Sequence, residues 1–131
     1  IRSLTETGKP CLGICLGQQL MCSYSEEGDT TCLGIFDATV KKFPPEDLVP
    51  HMGWNNLENL KGPLLYGISE HDNVYFVHSY YAELCQETIA TCNYILPFGA
   101  AMQKNNFYAT QFHPEKSAAV GERILKNFLE L

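Results

Sequence analysis

The chain has 131 residues, of which 45% are hydrophobic and 18% charged, the make-up of one globular domain of roughly 100 to 200 residues and far from that of a disordered chain. Nine Lys and Arg against fifteen Asp and Glu leave a formal net charge of −6, and no basic run interrupts the chain, so nucleic acid is not expected as a partner. No apolar stretch approaches the roughly 20 residues that cross a bilayer, and IRSLTETGKP lacks a signal peptide's apolar core, so no membrane association is expected and the expected location is cytoplasmic.

Residues 1–7 read as the end of a helix closed by Gly8, and the chain opens on Ile1 rather than an initiator methionine, so something upstream is expected to be missing. PCLGI, residues 10–14, is a short apolar run after a glycine stop, which predicts a buried strand feeding directly into a helix over about 16–24. EEGDTTC, residues 26–32, reads as a polar loop, and residues 35–41 alternate well enough to be a strand before Pro44-Pro45. Further on, 74–77, 88–92, 100–103 and 107–112 are β-rich, the last two joined at Asn105-Asn106 in hairpin fashion. From Ala118 the period changes. Val120, Ile124, Leu125, Phe128 and Leu129 recur at helical spacing, opposite Glu122, Arg123, Lys126 and Glu130, so the chain closes with an amphipathic helix. Strands between N- and C-terminal helices predict an α/β sheet in one domain, 1–131, without repeat, linker or low-complexity tract.

Six cysteines, Cys11, Cys15, Cys22, Cys32, Cys85 and Cys92, form no CxxC pair, and the four histidines lie apart at 51, 71, 78 and 113. Zinc-ligand spacing is absent, so neither metal nor cofactor is expected, and free thiols are favoured over disulfides. One cysteine stands out. Gly13-Ile14-Cys15-Leu16-Gly17 sets Cys15 between two glycines at a strand-to-helix junction, the thiol counterpart of the nucleophile elbow, where small neighbours relieve crowding around a strained residue. A helix N-terminus there predicts that the thiolate is favoured, and the Leu16 N–H is left pointing where an oxyanion would form. Gln19 falls one turn further on the same face, with an amide suited to a polar substrate.

A nucleophilic thiol needs a base. Phe112-His113-Pro114-Glu115 supplies one, with Glu115 two residues beyond His113 and so on the same side of an extended segment, where it can hold the imidazole in one tautomer. Alone, Cys15 reads equally well as a small buried hydrophobe, and His113 as a hydrogen-bonded strand-end imidazole. Together they favour a Cys-His-Glu triad.

GICLGQQ and FHPEKS resemble the two motif segments of the class I (triad-type) glutamine amidotransferases. More narrowly, PHMGWN (50–55), VYFVHSYY (74–81) and YATQFHPEKS (108–117) look like the histidine-biosynthesis branch of that family, and the resemblance covers essentially the whole chain. It implies a class I amidotransferase-like sheet with flanking helices. It implies that Cys15 attacks the side-chain amide of L-glutamine to give a thioester, that His113 shuttles protons, that Glu115 orients His113, and that ammonia passes to a synthase (cyclase) subunit. It further implies a glutamine pocket built from Gln19, Ser79 and Tyr80, with His78 a weaker candidate. His51, Met52, Gly53, Trp54 and Asn55 would lie near the partner, with Lys116 beside the triad. Taken without the resemblance, Trp54 could equally be a core tryptophan and Tyr80 and Tyr81 plain packing; His71 is assigned nothing. Family members are longer at the N-terminus, where they carry the first strands and a PGxG-type segment of the oxyanion hole, and nothing like it precedes Gly8. The expectation is therefore a domain lacking its first strands. A γ-glutamyl hydrolase, the glutaminase component of another class I amidotransferase, and a non-catalytic fragment of the fold remain as alternatives.

Overall fold

The parallel pairing of two strands far apart in sequence organises the molecule. A computed structural model describes residues 7–131; the helix end expected over 1–7 lies, up to residue 6, outside them. Strand β1 (Cys11–Ile14) feeds helix α1 (Leu16–Met21) through Cys15 alone. Then follow β2 (Tyr24–Ser25), β3 (Thr30–Thr31), β4 (Thr39–Lys42), β5 (His51–Asn56), β6 (Asn73–His78), β7 (Tyr80–Ala82), β8 (Thr88–Tyr94), β9 (Leu96–Lys104), β10 (Phe107–Thr110) and helix α2 (Ala118–Leu129).

These strands form three sheets rather than the one expected: β1-β10-β9-β8, β3-β2-β4-β7, and the two-stranded ribbon β5-β6. In the first, β1 runs parallel to β10 with Ile14 opposite Thr110, while β10 and β9 make the hairpin at Asn105-Asn106, Asn105 taking a positive φ of 55°. The left-handed region is one that asparagine tolerates better than most residues, which suits it to a two-residue hairpin loop. Strand β9 is buried continuously from Phe98 to Met102. A strand covered on both faces shows no alternation, which is why only its apolar middle was legible beforehand.

Helix α1 is shorter than its pattern predicts. Its last carbonyls are taken by the loop that follows, Leu33 N–H donating to Leu20 O and both Ile35 and Phe36 N–H to Met21 O, each at 2.9 Å. That loop also draws residues expected as helix or loop into β2 and β3, and the strand expected over 35–41 begins only at Thr39. The ribbon strand β5 lies in a segment read only as unspecified strand or loop, because His, Met, Gly, Trp and Asn give no period-2 signal.

Helix α2 lays Ile124 into the main core, with Val120 and Phe128 at its edge, against Leu64, Phe76, Phe98 and Phe112. A second cluster, Met21, Phe36, Val40, Met102 and Phe107, fills the space beneath α1. Burying each such large side chain contributes about 1.5–3 kcal/mol, so the scaffold under the elbow is held from both sides.

Candidate active site

Because β1 and β10 are parallel and in register, both chains leave the sheet at the same edge. Cys15 follows Ile14 and Gln111 follows Thr110, with Cys15 N–H donating to Thr110 O at 2.8 Å. The elbow and the HPE segment, separated by most of the sequence, are thereby brought side by side.

Cys15 has φ 56° and ψ −106°, a conformation costly for a residue with a Cβ, as a strand-to-helix elbow demands. Gly13 is required: a Cβ there would meet the backbone carbon of Gly17 at 2.9 Å and the methyl of Met21 at 3.0 Å. Gly17 is different, since a Cβ on it would meet nothing within 4 Å; among the described residues only the first elbow glycine answers to crowding.

The sulfur of Cys15 is half-buried. It accepts from Gln111 Nε2 at 3.6 Å and donates to Val77 O at 3.8 Å, with the Leu16 N–H near enough to favour its charged form. Burial pushes the thiol above its usual range and outweighs the lowering effects of the Leu16 N–H, the Gln111 amide and Lys116, while Glu115 adds to the rise. The expectation that the helix N-terminus favours a resting thiolate is therefore corrected. Helix α1 has only six residues, too short for its dipole to overcome desolvation. A thiol kept neutral requires a base at the moment of attack.

His113, expected as that base, lies on the neighbouring segment. His113 Nδ1 bonds Glu115 Oε2 at 2.8 Å, with the glutamate side chain 47% exposed. No hydrogen bond joins Cys15 to His113 among the described residues; the sulfur's partners are those above. The segment is pinned by its backbone. His113 N–H donates to Tyr75 O at 3.0 Å, the buried Ser117 hydroxyl donates to His113 O at 2.6 Å and accepts from Tyr75 N–H at 2.9 Å. Gly121 of α2 permits the turn Pro114–Lys116 to sit directly on the helix, because a Cβ there would fall 1.8 Å from Pro114 O.

A cavity of about 310 Å³ opens beside the sulfur, lined by Cys15, Leu16, Gln19, Glu27, Val77, His78, Ser79 and Tyr80. The chain crosses from the ribbon to the second sheet at Ser79, between β6 and β7, which is what brings Ser79 and Tyr80 to this wall. Gln19, expected to offer its amide to a ligand, is buried. Its Nε2 is committed to Tyr80 O at 3.1 Å and Gln111 Oε1 at 3.0 Å, so only its carbonyl end is uncommitted toward the cavity.

His51 and His78 form a buried pair behind the same wall. Desolvation lowers His51 to about 4 and His78 to about 3, so both rings are neutral at pH 7. The acceptor Tyr80 O, 2.8 Å from His78 Nδ1, requires a proton on that nitrogen. His78 Nε2 is then the acceptor for His51 Nδ1–H at 3.1 Å, and His51 Nε2 faces the Asn55 amide at 3.5 Å. Having been grouped with Trp54 at the partner face, His51 turns out to be only 3% exposed, stacked between Tyr94 and Phe76. Its side chain is a buried link between His78 and Asn55. Trp54 is 55% exposed and packs edge-to-face on Tyr75 at 5.7 Å, beside exposed Met52; Lys116 is exposed next to Glu115, and His71 is solvated.

Two site residues were not singled out from the sequence. Glu27 sat in a stretch that reads as a polar loop, and Gln111 in the β-rich run 107–112 with nothing local to mark it. Only the β1-β10 pairing, unreadable from local pattern, turns Gln111 inward. Among the described residues no cluster of His, Cys, Asp or Glu is placed to hold a metal ion, and no helix is long and apolar enough to cross a membrane.

The model of the class-I glutamine amidotransferases matches residues 1–131, and the chain belongs to that family. Within it, the imidazole glycerol phosphate synthase subunit HisH of Bacteroides fragilis (strain YCH46) is 59% identical over 133 residues, covering 99% of this chain and 68% of that protein. The subunit of the same name from Methanosarcina acetivorans is 51% identical over 137 residues, covering 100% and 68%. Among solved structures, a putative GMP synthase subunit from Thermoplasma acidophilum superposes with a TM-score of 0.69 at 22% identity, covering 98% of this chain and 60% of that one. The glutaminase domain of Trypanosoma brucei CTPS with bound acivicin gives 0.62 at 16% identity, covering 98% and 63%. These two establish a shared α/β fold. The chain spans about two thirds of the length of the curated relatives and somewhat less of the solved ones.

Proposed function

We propose that the chain is the catalytic part of the glutaminase subunit of an imidazole glycerol phosphate synthase, a cytoplasmic enzyme of histidine biosynthesis that hydrolyses L-glutamine and hands ammonia to a synthase (cyclase) subunit. The observation that carries this reading is the arrival of Cys15 and the bonded pair His113–Glu115 at one sheet edge, beside a cavity of about 310 Å³. His113 removes the thiol proton as Cys15 Sγ attacks the side-chain amide carbon, and the oxyanion is received by the Leu16 N–H. The proton passes to the leaving nitrogen, ammonia departs, and water cleaves the thioester to give glutamate and free thiol. Glu115 holds the imidazole throughout.

Ser79 and Tyr80 line the cavity wall for the substrate, with Gln19 bracing that wall. Among the described residues Glu27 is the one acidic side chain lining the cavity, and glutamine brings an α-ammonium, so their pairing gives the bound orientation a charge-assisted hydrogen bond. In a chain extended to its relatives' full length, a chloroketone analogue of glutamine should label Cys15 alone among the six cysteines and L-glutamine should block it. Faster labelling of Cys11 or Cys22 would remove the assignment.

The synthase subunit is expected to dock on the face carrying Trp54, Met52 and Lys116. Free ammonia is protonated and lost in water, so turnover only in the docked state favours transfer. With the synthase subunit present, Trp54→Ala is expected to lower its affinity by about 30-fold, the equivalent of ~2 kcal/mol for a central aromatic anchor, and to lower partner-stimulated hydrolysis far more than the basal rate. Equal falls in both activities would return Trp54 to a purely structural role.

A further inference from the structure

The amide of Gln111 is fully buried, yet both of its ends are engaged at the site. Its Oε1 accepts from Gln19 Nε2 at 3.0 Å, and its Nε2 donates to Cys15 Sγ at 3.6 Å. Gln19 Nε2 also donates to Tyr80 O, so a continuous chain of hydrogen bonds runs from the nucleophile to the wall of the cavity. The register explains the placement. Ile14 lies opposite Thr110, so the next residues, Cys15 and Gln111, leave the sheet together, and His113, two residues on, follows the same edge.

We propose that Gln111 is a positioning residue for the nucleophile: it holds Cys15 Sγ in the attacking rotamer, stabilises the thiolate as it forms, and through Gln19 ties the sulfur's position to the Tyr80 wall. This rests on the glutaminase reading above and deepens it. Two independent features support it. A buried amide that gave up these bonds would strand polar atoms in the core, so the pair Gln19–Gln111 has one low-energy arrangement and is stiff. The sulfur, moreover, has few groups favouring its charge: the Leu16 N–H, which a substrate oxyanion would engage, the distant charge of Lys116, and the Gln111 amide, which alone donates a side-chain hydrogen bond to it among the described residues. Gln111 is thus the neutral donor able to serve Cys15 both before and after glutamine enters.

The test uses the full-length protein with its synthase subunit and follows the pH dependence of Cys15 alkylation by iodoacetamide, alongside steady-state hydrolysis of glutamine. Gln111→Met keeps length and volume but removes donor and acceptor. The alkylation midpoint is expected to rise by about one pH unit and kcat to fall on the order of tenfold, with KM within about twofold, since Gln19 can still hold Tyr80 O. Should Gln111→Met fail to fold, Gln111→Asn decides: its amide keeps the buried polarity but falls one methylene short of the sulfur, and the same upward shift is expected. An unchanged midpoint with unchanged kcat in the folded variant would make Gln111 a packing residue and overturn the proposal. A wild-type protein that releases no ammonia, or whose Cys15 is not labelled by the chloroketone analogue of glutamine, would instead overturn the glutaminase reading itself.

Discussion

Replacing Cys15 with alanine is expected to lower glutamine hydrolysis by on the order of 10⁶, and adding His113→Ala to that variant should cost almost nothing more. The reason is that the two act as a unit. Burial keeps the thiol protonated at rest, so the sulfur is a weak nucleophile until a base takes its proton, and a base without a nucleophile has nothing to activate. His113→Ala alone should therefore approach the loss seen for Cys15→Ala. The measurement is steady-state ammonia release by the full-length protein with its synthase subunit. Losses that multiply in the double variant would mean that Cys15 and His113 work independently and that the triad assignment is wrong. The same protonated resting state sets the pH dependence: alkylation of wild-type Cys15 should go on accelerating as pH rises past the ordinary thiol range, because the thiolate is the reactive form and its pKa lies above that range.

The second large effect is expected at Glu115. The carboxylate accepts from His113 Nδ1 at 2.8 Å, which in the neutral ring selects the tautomer whose Nε2 can take the thiol proton, and its negative charge offsets the imidazolium formed in turnover. Glu115→Gln keeps the shape, removes the charge, and offers an N–H that would stabilise the wrong tautomer. A fully enclosed carboxylate in this role is worth about 10⁴ in rate. Glu115 is 47% exposed, so water can partly replace it, and a fall in kcat of about 10² is expected here, with KM changed by less than about threefold. A kcat equal to wild type would reduce Glu115 to a structural contact of the turn.

Part of this site is written in the local sequence. Gly13 and Cys15 mark an elbow because local sterics force them to, and the Asn105-Asn106 hairpin and the period of α2 are likewise properties of neighbouring residues. The pairing of His113 with Glu115 was expected from extended geometry, but it is made across the 3-10 turn Pro114–Lys116, which Pro114 starts. Other features were not readable, for a common reason. Whether Cys15 rests as thiol or thiolate depends on how much of the fold covers it. Desolvation, summed over residues distant in sequence, won over the dipole of a six-residue helix. His51 carries no mark that separates a docking side chain from a buried one; that was decided by Tyr94 and Phe76 closing over it. Gln19 was placed on the correct face, but its partners, Tyr80 O and Gln111, lie about 60 and 90 residues away.

By itself, the sequence determined the chemistry on offer: a strained thiol, an imidazole with its carboxylate, and the short-range turns that present them. The tertiary structure alone decided where that chemistry is spent. The parallel register of β1 with β10 and the crossover at Ser79 bring Gln111, Ser79 and Tyr80 around the sulfur, where Glu27 joins them from the turn after β2. Pairing between strands some 95 residues apart is set by the total burial of the sheet, a quantity that no local window of sequence contains.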